Sequence, residues 1–182
     1  MKERIRIPAW QSPQPPPALA IADDPTARMD AQLQRIHVER MHGLPFLNDA
    51  LQVEVFAFRR WQGDWLGAAI TPWSLNLLLL PGGGTLWRDR PLGERNALVF
   101  PVGEIDFIAD YDETADIPAS QYFPLVPNVS QIASQDTARE AAEAALDALF
   151  VAPAAAGEPV EAATVTGAAP PRRAFLRRFV GR

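Results

Sequence analysis

His37 and His42 are the only histidines in the 182-residue chain, and the chain has no cysteine. A metal-binding pair on a helix needs a spacing of three or four residues to share one face, and five does not provide it. Without thiols, disulfides, iron–sulfur ligation and thiolate zinc are excluded, and no cofactor is expected. The stretch "PGGGTLW" at 81–87 invites comparison with phosphate-binding loops. A P-loop would need Lys and Ser/Thr after the last glycine, and a dinucleotide fingerprint would need glycine where Trp87 stands, so these residues are expected to form a connection between strands. Asp110 and Asp112 begin like a calcium loop, but the sixth position is Ala115 instead of glycine. No serine sits in a G-x-S-x-G elbow. Enzyme chemistry is therefore not the expected function.

Charge is more informative than nucleophiles. The net charge is −5, yet residues 151–182 hold five arginines and two glutamates, which leaves −8 on residues 1–150. Glu104 to Asp116 carries six acids and no base. A nucleic-acid binder needs a basic face for phosphates, so nucleic acid is not an expected partner. The acidic stretch suits a basic partner, and Glu104 and Asp106 are candidate contacts. Near the C-terminus, "PRRAFLRRF" at 171–179 carries most of a twin-arginine export pattern, R-R-x-F-L, in Arg172, Arg173, Phe175 and Leu176. It lacks the long apolar region that an export signal requires.

These residues must be positioned by a folded body. Residues 1–24 are proline-rich and read as a flexible arm. The stretch "DDPTARMDAQLQRIHVERM" at 23–41 reads as a helix, with Asp24 as N-cap, Pro25 at the first position and Met29, Leu33 and Ile36 at helical spacing. Apolar alternation from 51 to 110 predicts about five strands: 51–58, "WLGAAIT", a central "WSLNLLLL", "ALVFPVG" with Pro101 marking an edge or bulge, and "EIDFIAD". Short gaps favour an antiparallel meander. A loop with Pro118, Pro124 and Pro127 leads to a second helix, "DTAREAAEAALDALF", with Thr137 and Glu140 as capping box and Ala138, Ala142, Ala145, Leu146 and Leu149 on its buried face. Residues 151–182 read as a low-complexity linker with a basic, aromatic tip. The predicted fold class is thus α+β, a two-layer sandwich of a largely antiparallel sheet and two helices, over a domain at 25–150.

Nine Phe and five Trp give this body much aromatic surface. Trp61, Trp65, Trp73 and Trp87 cluster along the strands, as core or as an apolar docking face for a peptide. No apolar run is long enough for a membrane span and no N-terminal signal is read, so a cytoplasmic location is expected. One alternative is a membrane-surface adaptor acting transiently through the amphipathic tip.

The segment "LPFLNDALQVEVFAFRRWQGDWLGAAITPWSLNLLLLPGG", residues 44–83, resembles the central signature of the HybE family of nickel–iron hydrogenase assembly chaperones. The likeness rests on Leu44-Pro45-Phe46-Leu47-Asn48, Gly67, Thr71-Pro72-Trp73 with Asn76, and Leu80-Pro81. Pro101, Gly103 and Phe107 in "FPVGEIDF", the alanine-rich second helix and "RRAFL" add to it. After Tyr122 the chain departs from the family's Ser/Phe/Met-rich stretch, reading "FPLVPNVSQIASQ". The resemblance implies a non-catalytic cytoplasmic protein that holds a hydrogenase subunit precursor, small or large, until its metal clusters are installed, alongside other maturation proteins. The small subunit of such hydrogenases carries a twin-arginine signal peptide. On these grounds Phe46, Asn76 and Tyr122 join the four tryptophans, Glu104, Asp106, Arg172, Arg173 and Phe175 as expected partner-binding positions. The tip could compete with the client, recruit it, or do neither.

Overall fold

The computed structural model describes residues 13–152. Helix α1 runs Thr26–Ile36 and widens into one π turn, His37–Met41. Pro25, not Asp24, takes the N-cap position, and the Asp24 carboxylate one residue earlier accepts from the Thr26 N–H at 2.8 Å, so it still satisfies one of the orphan donors of the first turn. Six strands follow: β1 Glu54–Trp61, β2 Asp64–Thr71, β3 Ser74–Leu80, β4 Arg95–Phe100, β5 Gly103–Tyr111 and β6 Ala119–Pro124. They form one antiparallel sheet in the order β1-β2-β3-β6-β5-β4. Helix α2, Gln135–Ala148, closes the described chain.

The α+β sandwich and antiparallel sheet match the expectation, with three further differences. The first is a sixth strand. "ASQYFP" has prolines on both sides and polar residues within, so it looks like loop, but it pairs with β3 and β5 at the centre of the sheet. Pro124 is tolerated there because it ends the strand. The second is topology. A simple meander would put β4 beside β3, whereas β6 takes that place and β4 becomes the far edge. Pro101 accordingly lies in the two-residue turn between β4 and β5, after Phe100 and before Gly103, and not inside a strand. The third is a helix cap. Ser134 caps α2, its side chain accepting from the Thr137 N–H, so Thr137 is capped instead of capping.

Alternation along the strands sends side chains to two cores, one on each face. Leu66, Ala68 and Ile70 of β2 and Leu75, Leu77 and Leu79 of β3 point to one side, where Ala138, Ala142, Ala145 and Leu146 of α2 seal them. The small alanines let the helix approach the sheet closely. Trp65 and Ala69 of β2 and Leu78 and Leu80 of β3 point to the other side, under Met29 and Leu33 of α1. Both cores are anchored by residues of the central strands, whose side chains are all or nearly all removed from water.

The residues of the proline-rich arm that the structure describes are irregular but tied down. The Ile21 N–H donates to the Pro81 carbonyl at 2.8 Å. The Ile21 carbonyl accepts from the Trp65 indole at 2.9 Å and from the Arg60 guanidinium at 3.0 Å. The Ala18 N–H donates to the Asp89 carboxylate at 3.0 Å. Residues 18–22 therefore wrap the body instead of hanging free of it.

Candidate functional site

The two faces of the sheet are covered unequally. α2 and its flanking segments close one face. On the other face α1 lies over β1, β2 and β3 and its core reaches Tyr122 of β6, while among the described residues no helix lies over β5 and β4. Register decides which side chains floor this open half. Tyr122 pairs with Leu78 and with Ile108, and Asp110 with Ser120. Asp106 pairs with Ala97, Glu104 with Val99 and Ile108 with Arg95. All of these residues share the α1 side. Leu98, Phe100, Ile105 and Phe107 between them are buried on the other side. Val99, the penultimate residue of β4, is 72 % exposed.

The floor is thus a mixed surface: Ala97, Val99, Ile108 and Tyr122 set among Glu104, Asp106 and Asp110. Its wall is the last turn of α1. A groove of about 570 Å³ runs between that turn and the strand ends, lined by Ile36, Arg40, Asp110, Asp112, Ile117 and Ser120 among others. The loop 112–118 is fastened to α1 at three points. Arg28 pairs with Asp116 at 2.7 Å and Arg40 with Asp112 at 3.0 Å. Gln32 is buried and exchanges hydrogen bonds with the Ile117 backbone, at 3.2 Å to the carbonyl and 2.9 Å from the N–H.

Charge on this face and in the groove beside it is not neutralised evenly. Arg95 holds Asp106 at 3.1 Å. Glu104 and Asp110 make no ion pair among the described residues. Crowding by surrounding protein pushes the Asp110 carboxyl above the ordinary range, and the nearby Asp112 adds to this, while the Tyr111 N–H and Arg40 act against it. Its oxygens still reach water through the groove mouth, which moderates the effect. Burial, followed by the charge of Asp110, raises the Tyr122 phenol in the same way. Asp112 is held below the ordinary range, first by the Thr114 hydroxyl and N–H and then by Arg40.

The expected partner-binding positions separate accordingly. Tyr122, Asp106 and Glu104 lie together on the open face, and Asn76 lies on the same side, opposite Pro124 of β6. Asn76 is half-buried and donates to the Ser74 hydroxyl at 3.1 Å. Trp73, in the β2–β3 turn, stacks on His37 with ring centres 5.7 Å apart. Phe46, 55 % exposed, lies in the segment before β1. The other tryptophans serve the interior. Trp65 is 9 % exposed, with Arg60 over its ring at 4.2 Å, and offers no free ring face. Trp61 packs on Phe150 at 4.7 Å, on the α2 side. Trp87 packs on the same side and donates to Asp89 at 2.9 Å. Arg172, Arg173 and Phe175 lie outside the described residues. Ala97, Val99 and Ile108 escaped the sequence reading. The alternation of "NALVF" could have exposed the first two, since Asn96, Leu98 and Phe100 make the buried set.

The glycine-rich loop does cradle an anion, and the anion is the chain's own. Asp64 is fully buried at the start of β2. One carboxylate oxygen accepts from the Gly82 and Gly84 N–H groups at 2.8 and 3.0 Å, the other from Leu86 and Trp87 at 2.9 Å each. The loop therefore has no open N–H cradle for a phosphate. Among the described residues no group of three or more His, Asp or Glu could hold a metal ion, and no helix is long and apolar enough to cross a membrane.

A family model described as "[NiFe]-hydrogenase assembly, chaperone, HybE" matches residues 24–178. The chain belongs to the HybE family. The hydrogenase expression/formation protein HoxT of Azotobacter vinelandii is 33 % identical over 149 residues, covering 81 % of this chain and 91 % of that protein. The hydrogenase-2 operon protein HybE of Escherichia coli K12 is 34 % identical over 94 residues, but the match spans only 48 % of this chain and 58 % of that protein. The solution structure of HybE from Escherichia coli superposes with a TM-score of 0.57 at 23 % identity, covering 81 % of this chain and 94 % of that one, which shows a shared fold.

The motif residues on which the likeness to the HybE family rests are largely structural here. Asn48 donates to the Val129 and Ile132 carbonyls at 2.8 Å each, and its own N–H donates to Pro72 at 2.8 Å. It ties the segment before β1 to the β2–β3 turn and to the 3₁₀ turn Val129–Gln131. Thr71 closes the β2–β3 turn by accepting from the Ser74 N–H at 2.9 Å. Gly67 leaves room for the Phe58 ring, which would meet an added Cβ at 2.5 Å.

Proposed function

We propose that this chain is a hydrogenase assembly chaperone that binds a nickel–iron hydrogenase subunit precursor on the open half of its sheet. The proposed client is the small subunit with its twin-arginine signal peptide, held in the cytoplasm during metal-cluster insertion and before export. One observation carries the reading: Ala97, Val99 and Ile108 stand exposed or half-buried among Glu104, Asp106 and Asp110 on strands that α1 does not cover, with Tyr122 at the border of the α1 core. A signal of this type presents two arginines followed by apolar residues. The acids complement the first part and the apolar floor the second. Membership of the HybE family and the relatives' names support the client class.

The test is co-purification of the tagged full chain from its host, with bound proteins identified by mass. Wild type should recover the small-subunit precursor, and V99E/I108E should lose most of it while unfolding at an unchanged urea midpoint. Recovery of no hydrogenase subunit by wild type would overturn the reading, as would full recovery by the variant.

A further inference from the structure

We infer that residues 171–182 of this chain occupy the open half of the sheet while no client is bound. The inference takes that face as the client site, and three observations support the choice of occupant.

The first is where the described chain stops. The Leu149 carbonyl accepts from the Val102 N–H at 3.2 Å, and the Phe150 ring lies 6.3 Å from Phe100, so α2 ends beside the β4–β5 turn. That turn is one end of the open face, next to Val99 and Glu104, and β4 is one of the sheet's two edge strands. The 18 residues from 153 to 170 span up to about 60 Å when extended. The nine residues of β5 measure roughly 30 Å. The tip can therefore round the β4 edge and reach any point on the face.

The second is charge at matching intervals. Glu104 and Asp110 lack ion pairs among the described residues and lie six positions apart on β5, roughly 20 Å. Arg172 and Arg178 are also six positions apart, so an extended tip presents them at the same interval. A helical tip would hold them roughly 9 Å apart and could satisfy one carboxylate only. In the extended form Ala174 and Leu176 share the side of Arg172 and Arg178. They would cover the half-buried Ile108 and the exposed Val99. The third is extent: the HybE family model continues through residue 178, so it takes in residues 171–178 of this tip and does not stop at α2.

The experiment uses the full chain. Because the protein has no cysteine, Ala169→Cys accepts a single nitroxide label. In dilute, isotope-labelled protein we expect line broadening concentrated on the amides of Val99, Glu104, Ile108, Ser120 and Tyr122. R172E/R178E should abolish it, and adding E104K/D110K to that variant should restore it. Absent or scattered broadening would overturn the inference. So would equal broadening when label and isotope sit on different molecules, which would make the occupant a second copy.

A synthetic peptide bearing R-R-x-F-L and an apolar stretch then tests occupancy by competition. A tether supplies a millimolar effective concentration, so R172E/R178E should bind the peptide about fivefold more tightly than wild type. Equal binding to both would overturn the inference. If the peptide binds neither while the label still marks the face, the client reading fails and the tail assignment stands.

Discussion

Asp64→Asn isolates the contribution of the Gly82–Trp87 loop to this fold. The wild-type carboxylate accepts four backbone N–H bonds at 2.8–3.0 Å inside a fully buried site. Asparagine keeps the shape and one acceptor oxygen, so two of these bonds persist. Its amide nitrogen faces the other two N–H groups, where donor meets donor. Each stranded backbone donor costs about 1–3 kcal/mol. Relief from burying a charge offsets part of this. We expect a net loss of about 3 kcal/mol, a large share of the 5–15 kcal/mol typical of a domain. With a urea slope of about 1–3 kcal/mol per molar, the midpoint should fall by about 1–3 M. Amide exchange should speed up first at Gly84, Leu86 and Trp87. A midpoint within about 0.3 M of wild type, at the same slope, would refute the loop-anchor argument.

Four further predictions rest on single contacts. Asn48→Ala removes the donor to the Val129 and Ile132 carbonyls and should cost about 2–4 kcal/mol in urea unfolding. Gly84→Ala would place a methyl 2.2 Å from the Gln62 carbonyl oxygen, a backbone atom in a tight turn, and should cost at least about 2 kcal/mol by the same measurement. Ala57 has φ +57 in the bulge of β1, so Ala57→Gly should relieve about 1–2 kcal/mol of strain while adding up to about 1 kcal/mol of unfolded-state entropy. The net expectation is a rise in thermal midpoint. Asp110 has a folded pKa above its unfolded value, so its ionisation weakens the fold; the cost is absent below the unfolded pKa and grows as pH rises through the folded one. Asp110→Asn should thus be the more stable protein at neutral pH and equal to wild type near pH 3, read as paired urea midpoints.

Periodicity revealed most of the fold because most elements bury one face. The helical spacing of Met29 and Leu33 and the alanine stripe of α2 each report a single buried side, and both helices lie where those patterns place them. β6 escaped because its position, not its own pattern, makes it central: Gln121 is buried in a polar network with Asn96 at 2.9 Å and the Arg88 carbonyl at 2.8 Å. Strand order was equally out of reach. Nothing local in "GGGTLWRDRPLGE" tells that the chain crosses from mid-sheet to the far edge before returning.

The open face was half legible for a related reason. Its acids stand out as a run with no base, so Glu104 and Asp106 could be named from sequence, and Tyr122 came from the family likeness. Its apolar members were not named: the alternation of "NALVF" does set Ala97 and Val99 apart from the buried Leu98, whereas Ile108 stands between the buried Phe107 and Ala109 on a side of β5 that otherwise reads as acidic. The tryptophans mislead in the opposite direction: their size draws attention, yet three of the four packed along the strands fill the cores or line them. In this fold the residues that mark the family hold turns and segments together. The surface that could tell one client from another falls on short, plain side chains of β4 and β5. Substitutions that change client choice should therefore cluster at positions 97, 99 and 108, where folding stability constrains the side chain least.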